Sequence, residues 1–407
     1  MRNDVYVIVG AGQAGGWIVK TLRAEGFDGK IVLIGAERHP PYERPPLSKN
    51  LLRDAEAITE TALLSLDDLS DAEVEVYLGE KVRRIDRARQ TVECSGGQEM
   101  RYDRLFLTTG SQPRIPEWAA GINSDRVHLL RTIDDAATLR NVLPDTSRLL
   151  IVGGGWIGLE VAASARSLGV PVTILESAPR LCQRSVPEAV STWLKNLHER
   201  HGVEFLFGRT ATALTARPDG VELILDDGSS ITADRLLACI GAAPDMALAE
   251  RAGLEVSNGI VVDQSGRTSD PRIFAAGDVT NFPCRYAGRA TRRESWANAQ
   301  NQAIVAAKAA LGHELSYCDL PWLWSDQYAH NIQIAGFPEQ AAQVLFRSGP
   351  SDESGCWLCL DEDGQAIGGV GVDTPKLFRP VLKTLKARTA LDDAEWSTAP
   401  RAHGAAA

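Results

Sequence analysis

The chain has 407 residues, of which 44% are hydrophobic and 24% charged, with a formal net charge of −10. This balance belongs to a folded protein of two or three domains and excludes an extensively disordered one. Nine acids and no base fall between residues 54 and 80 (Asp54, Glu56, Glu60, Asp67, Asp68, Asp71, Glu73, Glu75 and Glu80), so most of the net charge sits there. No basic stripe appears elsewhere, which excludes a dedicated nucleic-acid or anionic-membrane protein.

Residues 5–9 (VYVIV) predict a strand. Glycines follow, then a helical pattern through Ile18, Val19 and Leu22 that stops near Gly26, then a strand over 31–34 ending at Gly35-Ala36-Glu37. That order is a βαβ unit. Short strands with turn signals run from Val74 to Gly110. The βαβ grammar recurs at 149–176, with a strand at Leu149–Val152, glycines at 153–158, a helix over 159–168 closed by Gly169, and a strand over 172–175 ending at Glu176. Two such units about 143 residues apart predict two nucleotide-binding domains and not a short-period repeat.

Further strands are predicted over 203–241, with Asp226-Asp227-Gly228 as a hairpin turn. From about residue 323 the texture becomes α+β, with strands at 332–336 and 356–360 and turns at 361–364 and Gly368-Gly369. Lys376, Arg379, Lys383, Lys386 and Arg388 then share a helical stretch that Pro380 interrupts or starts. Residues 397–407 are small and polar and are predicted to fray. The longest apolar run, Leu149 to Leu159, has 11 residues including four glycines, too short to cross a membrane. The first apolar run is too short for a signal peptide, and seven scattered cysteines suit reduced thiols; the expectation is a cytoplasmic protein.

Gly10-Ala11-Gly12-Gln13-Ala14-Gly15 follows a strand and opens a helix, with Glu37 placed 22 residues beyond the last glycine. Gly10 permits the tight turn, Gly12 lets the backbone approach a pyrophosphate and Gly15 allows close helix–strand packing. Glu37 would accept hydrogen bonds from a ribose. Gly153-Gly154-Gly155-Trp156-Ile157-Gly158, with Glu176 18 residues on, repeats the physics. An acid there favours a free 2′-hydroxyl, hence NAD over NADP, although Arg180 and Arg184 lie near enough to accept a phosphate. No metal-ligand spacing is visible among the seven histidines.

Residues 268–278 (TSDPRIFAAGD) end in Gly277-Asp278. With the two glycine motifs and Thr108-Thr109-Gly110, they resemble the two-dinucleotide flavoprotein reductases, which bind FAD first and NAD(P) second. That resemblance implies an α/β fold of two Rossmann-like dinucleotide-binding domains plus a C-terminal α+β domain. It places the FAD domain at 1–113 and 245–322, the NAD domain at 114–244 and the last domain at 323–407. Asp278 is implied to hold the ribityl chain of FAD. The cysteine pairs of disulfide reductases are missing at the expected places. The sole C-x-x-C, Cys356 to Cys359, lies in a predicted strand whose alternation points the thiols to opposite faces.

The segment Pro41-Tyr42-Glu43-Arg44-Pro45-Pro46-Leu47-Ser48-Lys49 resembles the oxygenase-coupled NADH-dependent ferredoxin reductases, of the putidaredoxin and biphenyl-dioxygenase reductase type. Glu294–Gln300 (ESWANAQ) and Pro321–Gln327 (PWLWSDQ) match as well. The resemblance implies that Arg44 and Lys49 lie against FAD, and that Glu160 stands near the nicotinamide and pairs with Lys49. The alternative for Glu160 is a carboxylate complementing the helix dipole in the first turn. Ala14, Thr109, Gly110, Arg131, Ile157, Gly158, Arg184, Gly241, Gly277, Ser295 and Trp296 complete the implied cofactor contacts. Trp324 either relays electrons at the flavin edge or only packs.

The implied activity is an enzyme passing electrons from NADH via FAD to a small two-iron two-sulfur ferredoxin, itself feeding a terminal oxygenase. Alternatives are a rubredoxin reductase, a diaphorase, or a redox-gated interaction protein resembling apoptosis-inducing factor. An acidic ferredoxin would dock transiently on basic groups, either the 376–388 cluster or Arg289, Arg292 and Arg293. A solvated basic face is the alternative for each. Monomer and homodimer both fit.

Overall fold

A computed structural model describes residues 4–122, 124–388 and 396, with side chains at all of these except 59 and 60. The predicted fraying of 397–407 lies outside the described residues. The chain forms two compact units. One comprises the chain up to Pro45, Ile58–Gln112 and Ala242–Asp319; the other comprises Pro46–Ala57, Pro113–Gly241 and the chain from Leu320 on. Residues 46–57 therefore belong to the second unit, and the segments on either side of residue 323 share that unit.

The first unit is built on a parallel sheet ordered Ile273–Ala275, Arg104–Leu107, Val5–Val9, Lys30–Gly35, Val74–Leu78. Its central strands are buried apolar runs, as a sheet covered on both faces requires. Helix Gln13–Ala24 buries Ile18, Val19 and Leu22 against Ile8, Ile31 and Leu33. The alanine face of helix Trp296–Ala310 (Ala303, Ala306, Ala307, Ala310) closes the same core. Small side chains there let the two helices approach closely.

The second unit repeats the plan with Val203–Phe207, Val172–Glu176, Leu149–Val152, Arg235–Ala238 and Val127–His128, all parallel. The predicted hairpin turn joins the antiparallel strands Gly220–Leu225 and Ser230–Ala233. A five-stranded antiparallel sheet follows, ordered Trp322–Gln327, His330–Gly336, Ala366–Val372, Gly355–Leu360, Gln343–Ser348.

Two local features differ from the sequence expectation. Gly368 and Gly369 lie inside strand Ala366–Val372 and not in a turn. A Cβ at Gly368 would sit 2.4 Å from the Pro338 nitrogen, and one at Gly369 would sit 2.6 Å from Val381 Cγ1, so both glycines admit neighbouring elements. Pro380 neither interrupts nor starts its helix, which runs Pro375–Ala387 through it. Burial of Phe378, Val381 and Leu385 compensates the one backbone hydrogen bond that a proline forfeits.

Candidate active site

The first glycine motif separates two jobs. Gly10 has φ +115°, and a Cβ there would lie 2.2 Å from the Thr108 carbonyl oxygen, so glycine is needed for the fold itself. At Gly12 the nearest atom to a Cβ is Arg44 Nη2 at 3.8 Å, which leaves open space over the first turn of helix Gln13–Ala24. The Gln13 amide, buried in that turn, finds no hydrogen-bond partner among the described residues. An open cradle at a helix N-terminus with an unsatisfied polar group fits a dinucleotide pyrophosphate.

Glu37 lies two residues beyond strand Lys30–Gly35, where its Oε1 accepts from Arg44 Nη2 (2.7 Å) and its Oε2 from the Tyr42 hydroxyl (2.5 Å). Burial works against the Arg44 charge, but Tyr42 and Glu37 outweigh it and raise its pKa. Asp278, after strand Ile273–Ala275, accepts from Ser111 Oγ (3.2 Å). Gly277 passes the helix closely, since a Cβ there would lie 3.3 Å from that of Ala14. Thr109 Oγ1 donates to the Asp245 carbonyl (2.6 Å), and the Asp245 N–H donates to Gly110 (3.0 Å). Ser295 caps helix Trp296–Ala310 by accepting from the Asn298 N–H. These expected FAD contacts all lie in the first unit, and their chemistry fits that cofactor.

The second motif mirrors the first. A Cβ at Gly153 (φ +111°) would lie 2.3 Å from the Cys239 carbonyl, whereas one at Gly155 would meet nothing within 4 Å. Ile157, in the first turn of helix Trp156–Ser167, is 45% exposed, and the buried Trp156 Nε1 has no partner among the described residues. Gly158 packs closely, a Cβ there falling 2.3 Å from the Gly153 carbonyl. Glu176 accepts from the Gly154 N–H (2.6 Å) and the Ala178 N–H (2.7 Å). Arg180 is committed to the Val186 carbonyl and Ser191 Oγ, both at 2.7 Å, so it holds its own loop together. Arg184 instead faces Gly241, with Nη2 3.6 Å from where a Cβ would be. Arg131 donates its backbone N–H to Asp135 Oδ2.

Glu160 is the fifth residue of helix Trp156–Ser167, beyond the first turn, and is buried. The helix-dipole alternative thereby fails. Its Oε2 accepts from Lys49 Nζ (2.9 Å) and from the Ser48 hydroxyl; its Oε1 accepts from Ser325 Oγ (2.6 Å). One turn further along, Ser164 Oγ donates to the Ser48 carbonyl (3.1 Å). Glu160 and Ser164 thus fasten residues 46–57 to the second unit. Three donors, from Lys49, Ser48 and Ser325, therefore converge on the one carboxylate.

Trp324 lies on the half-exposed side of strand Trp322–Gln327, stacked on Trp322 with centroids 5.4 Å apart and donating to Asp326 Oδ2. Arg292 is drawn in, with its side chain 13% exposed, paired with Glu294 and donating to the Asp278 carbonyl. The expected Arg289, Arg292 and Arg293 cluster is therefore no uniform basic face. All seven cysteines are free thiols; Cys356 and Cys359 are fully buried, and burial pushes both thiols up to about 12. Neither is a thiolate nucleophile at neutral pH. Ser48, Ser164, Ser325, Gln327 and His198 were missed from sequence, although the inward alternation of Ser325 and Gln327 within PWLWSDQ was a signal for two of them.

Among the described residues no helix is long and apolar enough to cross a membrane. Residues 4–303 match the pyridine nucleotide-disulphide oxidoreductase model, and residues 322–400 match the reductase C-terminal model. The chain is 39% identical, over 96% of its own length and of the relative's, to the ferredoxin–NAD(+) reductase component of the p-cumate 2,3-dioxygenase system of Pseudomonas putida. Identity is also 39% to the corresponding component of the anthranilate 1,2-dioxygenase system of Burkholderia cepacia, over 92% of both chains. In structure it resembles putidaredoxin reductase in its covalent complex with putidaredoxin, with TM-score 0.92, 34% identity, and 97% and 95% of the two chains covered. A ferredoxin reductase from Rhodopseudomonas palustris gives TM-score 0.91 at 32% identity, with 97% of each chain covered. With near full-length matches of this kind, the chain belongs to the ferredoxin–NAD(+) reductases of oxygenase systems, enzymes of the pyridine nucleotide-disulphide oxidoreductase family that use FAD and NAD(H).

Proposed function

We propose that this enzyme passes electrons from NADH, through FAD, to a small two-iron two-sulfur ferredoxin that serves a terminal oxygenase, in the cytoplasm. The observation that carries the reading is the buried Lys49–Glu160 pair, set directly after the second glycine motif. FAD, when bound, supplies the chemistry by accepting a hydride and releasing its electrons singly. The chain's own residues bind, orient and tune. Gly12, Gln13 and Glu37 hold the first dinucleotide, with Arg44 fixing Glu37. Gly155, Ile157 and Arg184 receive the second, and Glu176 disfavours a 2′-phosphate beside it. Lys49 supplies positive charge for negative charge developing on the flavin ring, and Glu160 fixes the ammonium in place. Trp324 serves the exit of electrons.

The ferredoxin is read as acidic and its docking as transient. Helix Pro375–Ala387 buries Phe378, Val381 and Leu385 and exposes Lys376, Arg379, Lys383 and Lys386, with Arg388 exposed just beyond its end. Five cations without an intervening acid form a steering surface for such a partner. An NAD-binding domain over 114–244 and a C-terminal α+β domain over 323–407 belong to the same reading.

The test is NADH-driven cytochrome c reduction with and without a catalytic amount of a small two-iron ferredoxin. Strong dependence on the added ferredoxin is expected. Rapid flavin bleaching by NADH with no ferredoxin effect would point to a different acceptor or to a redox-gated binding protein.

A further inference from the structure

A line of buried polar side chains leads away from Glu160 and is not accounted for by the reaction. Ser325 and Gln327, two apart on strand Trp322–Gln327, point to the same buried side, with 0% and 1% exposure. Ser325 Oγ donates to Glu160 Oε1 (2.6 Å), and Gln327 Nε2 donates to Ser325 Oγ (3.0 Å). Gln327 Oε1 lies 2.8 Å from His198 Nε2, and His198 Nδ1 lies 3.1 Å from the Tyr328 hydroxyl. His198, on helix Glu188–Arg200, is fully buried.

The polarity of this line follows from the chemistry of its members. Glu160 only accepts. Ser325 has one proton, which goes to Glu160, so its oxygen accepts from the Gln327 amide. Gln327 then presents its carbonyl to His198, which must carry its proton on Nε2 and leave Nδ1 to accept from Tyr328. Burial lowers the His198 pKa to about 4, so the ring is neutral and has one donor and one acceptor. Burial raises the Tyr328 phenol, which remains a donor.

Tyr328 is itself held in place. It occupies the left-handed region at φ +54° in the two-residue turn between Gln327 and His330, a conformation that bulky residues disfavour. Its ring stacks on His201 with centroids 3.6 Å apart. An outlier backbone that aims one hydroxyl at one buried histidine is the kind of local strain that function retains.

We propose that Ser325, Gln327 and His198 are positioning residues for the Lys49–Glu160 pair: a one-directional chain of donated hydrogen bonds, Tyr328 to His198 to Gln327 to Ser325 to Glu160 Oε1, locks the carboxylate so that Oε2 faces the ammonium. With Oε1 satisfied from one side and Oε2 from the other, the carboxylate cannot rotate without leaving a buried donor unpaired. The proposal rests on the reading of Lys49 and Glu160 given above and extends it to three residues outside the cofactor motifs.

Two measurements on the FAD-loaded full chain test it. Nitrogen-15 NMR of histidine-labelled enzyme reads the His198 tautomer directly, without turnover. Protonated Nε2 with bare Nδ1 is expected, and the opposite tautomer reverses the chain and overturns the proposal. Stopped-flow reduction of the flavin by NADH is then compared for Ser325→Ala and Ser325→Thr. Loss of one hydrogen bond to a charged group predicts a limiting rate about tenfold lower in S325A, with NADH affinity within about twofold and the rate restored in S325T. A wild-type rate in S325A, or an S325T enzyme as slow as S325A, overturns the positioning role. Neither measurement uses ferredoxin, so failure of the ferredoxin reading leaves both outcomes interpretable.

Discussion

Lys49 and Glu160 meet at 2.9 Å with side chains only 11% and 6% exposed, so this ion pair is formed away from water. A buried charge is costly alone. Here each is satisfied by the other, and Ser48 and Ser325 complete the carboxylate's shell. The pair also spans the chain, since segment 46–57 reaches the helix after the second glycine motif through it.

Breaking such a pair on one side strands the other charge. Glu160→Gln and Lys49→Met are each expected to lower stability by about 3–5 kcal/mol, while the double variant recovers much of that loss. Denaturant unfolding of the four proteins gives the coupling directly. Additive single losses would mean that the two charges do not depend on one another.

The glycines divide into those the fold needs and those a ligand needs. Gly12→Ala and Gly155→Ala introduce a methyl that meets no atom closer than 3.8 Å, so apoprotein stability should stay within about 0.5 kcal/mol. Cofactor affinity should fall about tenfold or more, for FAD in the first variant and NADH in the second. Gly10→Ala is expected to do the reverse, because positive φ and a 2.2 Å overlap with Thr108 oppose it in the fold, with the backbone alone costing about 1–3 kcal/mol. Thermal unfolding of apoprotein beside cofactor titration separates the two classes. Unaltered FAD binding in G12A would remove the pyrophosphate from that cradle.

What the sequence disclosed follows the range of each interaction. The glycine motifs and their acids were legible because a strand, a turn and a helix N-terminus are local. Pairing of Glu160 with Lys49 was reached only through resemblance, since Ser48 and Glu160 lie 112 positions apart and Glu160 and Ser325 lie 165 apart. Gly368 and Gly369 misled because glycine marks a tight turn and a crowded strand equally. Arg180 left a 2′-phosphate open beside Glu176 in the sequence, whereas its bonds to Val186 and Ser191 keep it in its own loop. His198 carried no signal at all, because its partners come from a sheet far along the chain.

Two buried histidines make stability fall on the acid side. Burial lowers His128 and His198 from 6.5 to about 4 each. The unfolded chain takes up these protons as pH drops through 6.5, whereas the folded chain refuses them until about pH 4. Stability is therefore complete above pH 6.5 and declines between 6.5 and 4, by up to about 3 kcal/mol for each histidine. Denaturant midpoints measured across that window for wild type, His128→Asn and His198→Asn should show a shallower slope in each variant. An unchanged slope would mean that these rings do not titrate differently on unfolding.

The exposed cations of helix Pro375–Ala387 stand opposite its buried Phe378, Val381 and Leu385, so charge there is separable from packing. Lys383→Glu with Lys386→Glu should leave unfolding and NADH-driven flavin reduction unchanged, because neither residue belongs to the dinucleotide sites. If this surface steers an acidic ferredoxin, the KM for ferredoxin rises and its dependence on salt weakens, since the screened attraction has been removed. The charge effect acts on encounter, so the rise should be largest at low ionic strength and shrink as salt is added. Identical ferredoxin KM and identical salt slopes for the wild type and the double variant would move the docking surface elsewhere.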